Sequence, residues 1–120
     1  MIQNNPDSPQ LESGYTRIAN CLLEGILAYP FMGGELRVVF AVIRLTYGWG
    51  KKSAVLKVRE LALVGGLSQR HAKRLIKQLT RDKILFRTPL NRVRVVIGLN
   101  KDFSTWRLRK IRVIKNVPSD

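Results

Sequence analysis

Six side chains between Ser68 and Lys83 carry the clearest chemistry in this sequence. Projected at 100° per residue, Arg70, Arg74, Lys77 and Arg81 cluster on one side of a helix, with Lys73 on the flank and Gln69 near the N-terminal tip. Ala72, Leu75, Ile76 and Leu79 fall within about 60° of the opposite direction, the side that packs on a core. Such a face suits the major groove of DNA, where Arg can donate two hydrogen bonds to guanine and Gln can bond both ways to adenine. Residues early in a groove-reading helix reach base edges and later ones meet phosphate. Gln69, Arg70, Lys73 and Arg74 are therefore the candidate base contacts. Ser68, His71, Lys77 and Arg81, with Lys51 and Lys52 upstream, are the candidate backbone contacts. A surface helix normally mixes signs, yet this one carries a single acid, Asp82, at its end. Unopposed like charges at i,i+4 cost a few tenths of a kcal/mol each, about what a polyanionic ligand would relieve.

The elements around this helix must position it. A helix is predicted over Arg17–Tyr29, with Thr16 as N-cap and Pro30 at its end, and Cys21 is expected beside its core face. Gly33-Gly34 breaks the chain before a second helix, Glu35–Tyr47. That helix is apolar nearly all round (Leu36, Val39, Phe40 and Ile43 against Val38, Val42 and Leu45) and so belongs in the middle of the domain. Gly48-Trp49-Gly50 ends it. A short strand over Ser53–Val58 and a third helix, Arg59–Val64, follow, and Gly65-Gly66 leads into the fourth helix from Ser68 to Lys83. Two helices around a short Gly-containing turn form the helix-turn-helix signature. Two β-prone runs come next, Ile84–Arg87 and Arg92–Ile97, separated by a turn at Thr88-Pro89-Leu90-Asn91. The predicted class is α+β, mainly α with a small β-hairpin: a winged helix-turn-helix. Arg87, Arg92 and Arg94 are candidate wing contacts, although cations on a strand edge also discourage aggregation.

Composition agrees with one compact domain. The chain has 120 residues, 45% of them apolar, and 22 Lys and Arg against 8 Asp and Glu give a net charge of +14. In the first 34 residues Arg17 alone opposes Asp7, Glu12 and Glu24, and every later segment is basic. One binding face for a polyanion explains that asymmetry. The longest apolar run is the six residues from Val38 to Ile43, far short of the roughly 20 that a spanning helix needs. The N-terminus lacks a signal-peptide pattern, and the one cysteine excludes an internal disulfide. A cytoplasmic protein without a membrane partner is expected. No metal motif, phosphate loop or close carboxylate pair is present, so neither an enzyme nor a cofactor is expected. His71 reads as a surface residue. Trp49 and Trp106 read as packing residues, with stacking on bases as the alternative. Residues 1–13 read as a flexible leader, 14–106 as the domain, and 107–120 as a basic tail that could be strand, helix or DNA-tracking arm.

Several runs also resemble the N-terminal, origin-binding domain of the bacteriophage replication protein O family. They are Gly14–Asn20 with Leu22-Leu23-Glu24, Leu36–Val39, Ala41–Arg44, Thr46-Tyr47-Gly48-Trp49-Gly50-Lys51-Lys52, Gly66–His71, and Gly98–Trp106 with its Asn-Lys-Asp-Phe-Ser-Thr-Trp core. The resemblance covers residues 14–106 and implies a winged helix that binds direct repeats of a phage or prophage replication origin as a homodimer. It also implies that members help bring the host helicase to the origin through a helicase loader. The sequence ends 14 residues after Trp106, so contact with a helicase loader or replicative helicase falls to a region absent or shortened here. The turn at Thr88–Asn91 replaces the glycine-rich tip common in the family. Leu63 stands where relatives tend to be polar, on the outer side of the third helix, and is the candidate for a dimer patch.

Two rival functions follow from the same residues: a winged-helix transcriptional repressor on a palindrome, and a basic RNA-binding or ribosome-associated domain. A structural adaptor whose charge serves a protein partner is a third.

Overall fold

A computed structural model describes residues 14–107 of the chain. Helices α1 (Asn20–Ala28) and α2 (Gly33–Thr46) come first, then strand β1 (Ser53–Lys57), helices α3 (Val58–Gly65) and α4 (Gln69–Arg81), and strands β2 (Leu85–Pro89) and β3 (Arg94–Leu99). Short 3-10 turns lie at Tyr47–Trp49 and Phe103–Thr105. The α+β class expected from the sequence holds. The expected leader and most of the tail lie outside the described residues.

Helix α2 sits centrally, as its all-round apolar pattern required: Val38, Val39, Ala41, Val42 and Ile43 are buried, and it touches α3, α4, β1 and β3. Phe40, expected on its core face, is instead 41% exposed. Gly33-Gly34, expected to break the chain, forms the first turn of α2. The Met32 N–H donates to Glu35 Oε1 at 2.8 Å, which satisfies a donor that the helix start leaves open. Gly34 is needed there for space, since a Cβ would lie 3.1 Å from Leu75 and 3.4 Å from His71 of α4. Glu35 Oε2 accepts from Gln78 Nε2 of α4 at 2.7 Å, and the residue is 1% exposed.

Helix α1 starts later than Thr16 capping would require. Its N-cap is Ala19, with no side-chain bond, and Thr16 lies against Gly48 instead. Because the helix begins at Asn20, only Leu22 and Ile26, one turn apart, are buried. Cys21 is one 100° step away from that stripe and is exposed, not in the core.

The hairpin is part of a three-stranded antiparallel sheet in the order β1-β3-β2. β1 pairs from Ser53↔Gly98 to Lys57↔Arg94, so β3 is central. The reversal falls later than expected. Thr88 and Pro89 belong to β2, where Pro89 is tolerated because β2 is an edge strand. The tip is held by Asn91, whose Oδ1 accepts from the N–H groups of Val93 (2.9 Å) and Arg94 (2.8 Å). Val93 is therefore an exposed tip residue.

The two tryptophans part company. Trp106 is 5% exposed, meets Tyr29, Phe31 and Phe103 edge-on or tilted, and donates from Nε1 to the Asn100 carbonyl at 2.8 Å. Trp49 is 68% exposed rather than packed, because the 3-10 turn and left-handed Gly50 (φ 68°) turn it outward.

Gly98 on the central strand has a steric role. A Cβ there would stand 2.2 Å from the Phe86 ring and 2.7 Å from the Lys52 carbonyl oxygen. Gly98→Ala should therefore destabilise the domain by about 1–3 kcal/mol in urea unfolding. Pairing it with Phe86→Leu should recover only part of the loss, since the clash with the Lys52 backbone remains.

Candidate nucleic-acid interface

Helix α4 is anchored before it is charged. Ser68 Oγ accepts from the His71 N–H at 3.1 Å and caps the first turn, and Ala72, Leu75, Ile76 and Leu79 are all buried, as the periodicity predicted. At the far end Lys83 takes a left-handed conformation (φ 63°), unusual for a residue with a Cβ. It is held by the Asn100 Nδ2 bond to its carbonyl (2.7 Å) and by the Ile84 N–H on Leu79 O (3.0 Å). Rotation of α4 about its axis is thus fixed by four buried side chains, a cap, a closed C-terminus and the Glu35–Gln78 bond.

That rotation leaves Gln69, Arg70, Lys73, Arg74, Lys77 and Arg81 exposed along one side. Two concavities divide the N-terminal half of this face. A groove of about 380 Å³ runs between α4 and the hairpin, lined by Gln69 and Lys73, by Arg87, Arg92, Val93 and Val95, and by Lys57, Val58 and Arg59 from the start of α3. Five cations line it and no acid does. A shallower depression of about 290 Å³ on the other flank is lined by Ser68, Arg70, His71 and Arg74. Two carboxyl groups that do not line the groove serve as hydrogen-bond acceptors. Glu60 Oε1 accepts from the Lys57 N–H at 2.8 Å, and Asp102 Oδ1 accepts from Ser104 Oγ at 2.6 Å.

The structure thus gathers most of the residues singled out from sequence. Gln69 and Lys73 share a groove with Arg87 and Arg92, and Ser68, Arg70, His71 and Arg74 share its neighbour. Lys77 and Arg81 continue the exposed stripe, and Arg94 is exposed opposite Lys57 in the strand register. His71 is half-buried, with its ring beside Gly34. Lys51 and Lys52 are not brought to the groove. They precede β1, whose five residues lead from Lys52 to Lys57, about 17 Å away at the strand rise. Lys57 and Arg59 are the groove residues that sequence reasoning missed. Their signal was the pairing of β1 with β3, which carries the start of α3 to the base of the hairpin.

Among the described residues no three His, Cys, Asp or Glu side chains are grouped so as to hold a metal ion, and no helix is long and apolar enough to cross a membrane. Burial raises the Tyr47 phenol above its ordinary pKa; among the described residues no group bonds its hydroxyl, and Lys101 Nζ lies 5.9 Å from its ring centre.

Comparison with known proteins adds independent information. The chain is 34% identical over 108 residues to replication protein 15 of Enterobacteria phage phi80, an alignment covering 90% of this chain and 35% of that protein. It is 32% identical over 100 residues to DNA replication protein gp18 of Salmonella phage P22, covering 83% and 35%, and 27% identical over 96 residues to replication protein O of Escherichia phage lambda, covering 80% and 27%. The chain spans about a third of the length of these relatives. No solved structure matches it. The family pattern for bacteriophage replication protein O matches residues 8–106, which include α4, both concavities and the whole sheet, and the chain belongs to that family.

Proposed function

We propose that this chain is a sequence-specific duplex-DNA-binding protein that recognises repeats in a phage or prophage replication origin and acts in initiating replication there. In this reading α3 and α4 are a helix-turn-helix, α4 is the recognition helix, and the β2–β3 hairpin is the wing. One observation carries the proposal. A cationic helix face, fixed by a buried apolar face, borders a groove lined by five cations from α4, the hairpin and the β1–α3 junction, and by no acid. The names of the relatives support replication as the process. The family is not one of enzymes, and nothing in this reading calls for catalysis or a cofactor.

Roles divide by position. Gln69, Arg70, Lys73 and Arg74, in the first turns of α4, read base edges from the major groove. Ser68, His71, Lys77 and Arg81 contact the phosphates on either side. Arg87, Arg92 and Arg94 of the wing, joined by Lys57 and Arg59, neutralise the backbone beside it. Alanine at Arg70 or Arg74 should weaken binding to the preferred site by about 1–3 kcal/mol and leave random duplex nearly unchanged. Equal losses on both duplexes in fluorescence anisotropy would make these phosphate contacts and refute base reading. Alanine at Lys57, Arg59, Lys77 or Arg81 should weaken all duplexes alike and flatten the plot of log K against log salt by about 0.9 for each phosphate no longer neutralised. An unchanged slope for a given variant would show that its residue does not meet phosphate.

Binding as a homodimer would match repeats with paired copies, and Leu63 on α3 supplies an apolar side chain that is 82% exposed. Leu63→Lys should lower the sedimentation coefficient at micromolar concentration without unfolding the domain. Unchanged sedimentation would remove Leu63 from the dimer surface. Contact with a helicase loader or replicative helicase belongs, in this reading, to the part of the relatives that this chain does not span.

A further inference from the structure

Trp49 has no part in the duplex reading, and Lys51 and Lys52, candidate backbone contacts from sequence, do not line the α4 groove, yet the fold holds the three in a defined arrangement. Tyr47–Trp49 form a 3-10 turn closed by the Gly50 N–H on Tyr47 O (2.9 Å) and the Lys51 N–H on Thr46 O (2.9 Å). The indole of Trp49 is thereby directed outward, 68% exposed. The Arg44 guanidinium lies 5.9 Å from the centre of its ring, and Gly48 makes room for it, since a Cβ at 48 would stand 2.7 Å from that guanidinium. Beside the ring is a cleft of about 420 Å³ whose lining includes Trp49, Lys51, Leu45, Val55, Leu56 and Glu60. Its size falls among small-ligand clefts, roughly 300–1,000 Å³. Lys51 and Lys52 are exposed and follow Trp49 after the single residue Gly50.

A held aromatic ring with one face on a guanidinium, flanked by further cations, has the properties that unpaired nucleic acid requires. Bases stack on the ring while lysines follow the phosphates, and stacking is indifferent to sequence because every base has a π-face. Duplex DNA keeps its bases stacked on each other and gains nothing from such a ring. We propose that Trp49, with Arg44, Lys51 and Lys52, forms a second nucleic-acid site that binds single-stranded DNA by stacking. None of the residues that line its cleft lines the duplex groove, and Lys52 lies about 17 Å along β1 from Lys57. The site goes beyond duplex recognition and gives one domain a contact for each form of DNA met at a melting duplex.

The test uses the full chain, a labelled oligo(dT) 12-mer and a labelled duplex of equal length. Oligo(dT) should quench the intrinsic fluorescence of the wild-type protein, and in Trp49→Ala, where only the buried Trp106 remains, that quenching should vanish. Trp49→Ala should lower oligo(dT) affinity about 5- to 160-fold, the worth of one stacked base, and change duplex affinity less than twofold. Trp49→Phe should restore most of the loss, and circular dichroism should report an intact fold in both variants. Absence of quenching overturns the proposal. So do equal losses on oligo(dT) and duplex, or a Phe variant no better than Ala. Because oligo(dT) binding is read separately, failure of duplex recognition would leave this result interpretable.

Discussion

The structure depends on one buried polar contact. Glu35 lies at the start of α2 with a residual exposure of 1%, in a chain whose net charge is +14. One carboxyl oxygen takes the Met32 N–H and so starts the central helix; the other takes the Gln78 amide and so ties that helix to α4. A hydrogen bond to a charged group contributes about 1.5–3 kcal/mol, so a small rotation of α4 that withdrew Gln78 from Glu35 would carry a cost of that order. Apolar packing alone is tolerant of such rotations, because methyl groups can find new neighbours. The hydrogen bond is not, and together with the four buried side chains and the Ser68 cap it fixes which residues of α4 face outward.

From that constraint the cationic face follows. With Ala72, Leu75, Ile76 and Leu79 inward and Gln78 turned to α2, the arginines and lysines of α4 have nowhere to go but solvent. The sheet then adds its share. β1 lies against β3, which brings Lys57 and Arg59 beside Arg87, Arg92 and the N-terminal turns of α4. Like charges are gathered here at a cost in self-repulsion, while Glu35, Glu60 and Asp102 are used as backbone acceptors elsewhere. A groove lined by five cations and no acid is arranged for a polyanion.

How much of this was legible in the sequence depends on the range of the interactions involved. The four buried residues of α4 and the central place of α2 could be read because periodicity of 3.6 is local and strong there. Ser68 could be read as the start of α4 for the same reason. The start of α1 could not, since Thr16 is drawn to Gly48, thirty-two residues on, and not to the helix beside it. Gly33-Gly34 looks like a break because the acceptor that starts the helix, Glu35, lies after the glycines rather than before them. The third strand pairing and the Lys57–Arg59 contribution to the groove were hidden, as pairing between β1 and β3 spans some forty residues and leaves no local mark. For Trp49 residue type alone misleads: large aromatics are usually buried, and only the turn geometry turns this one out.

The central claim is that this surface recognises a particular duplex sequence and not merely negative charge. The most direct measurement is a pull-down of sheared source-genome duplex DNA at about 0.15 M salt, where exposed charges are screened beyond roughly 8 Å, followed by sequencing. Enrichment of one locus containing several direct repeats is the predicted result. Uniform recovery of the genome, with no enriched locus, would contradict sequence recognition and reduce the basic face to a non-specific one.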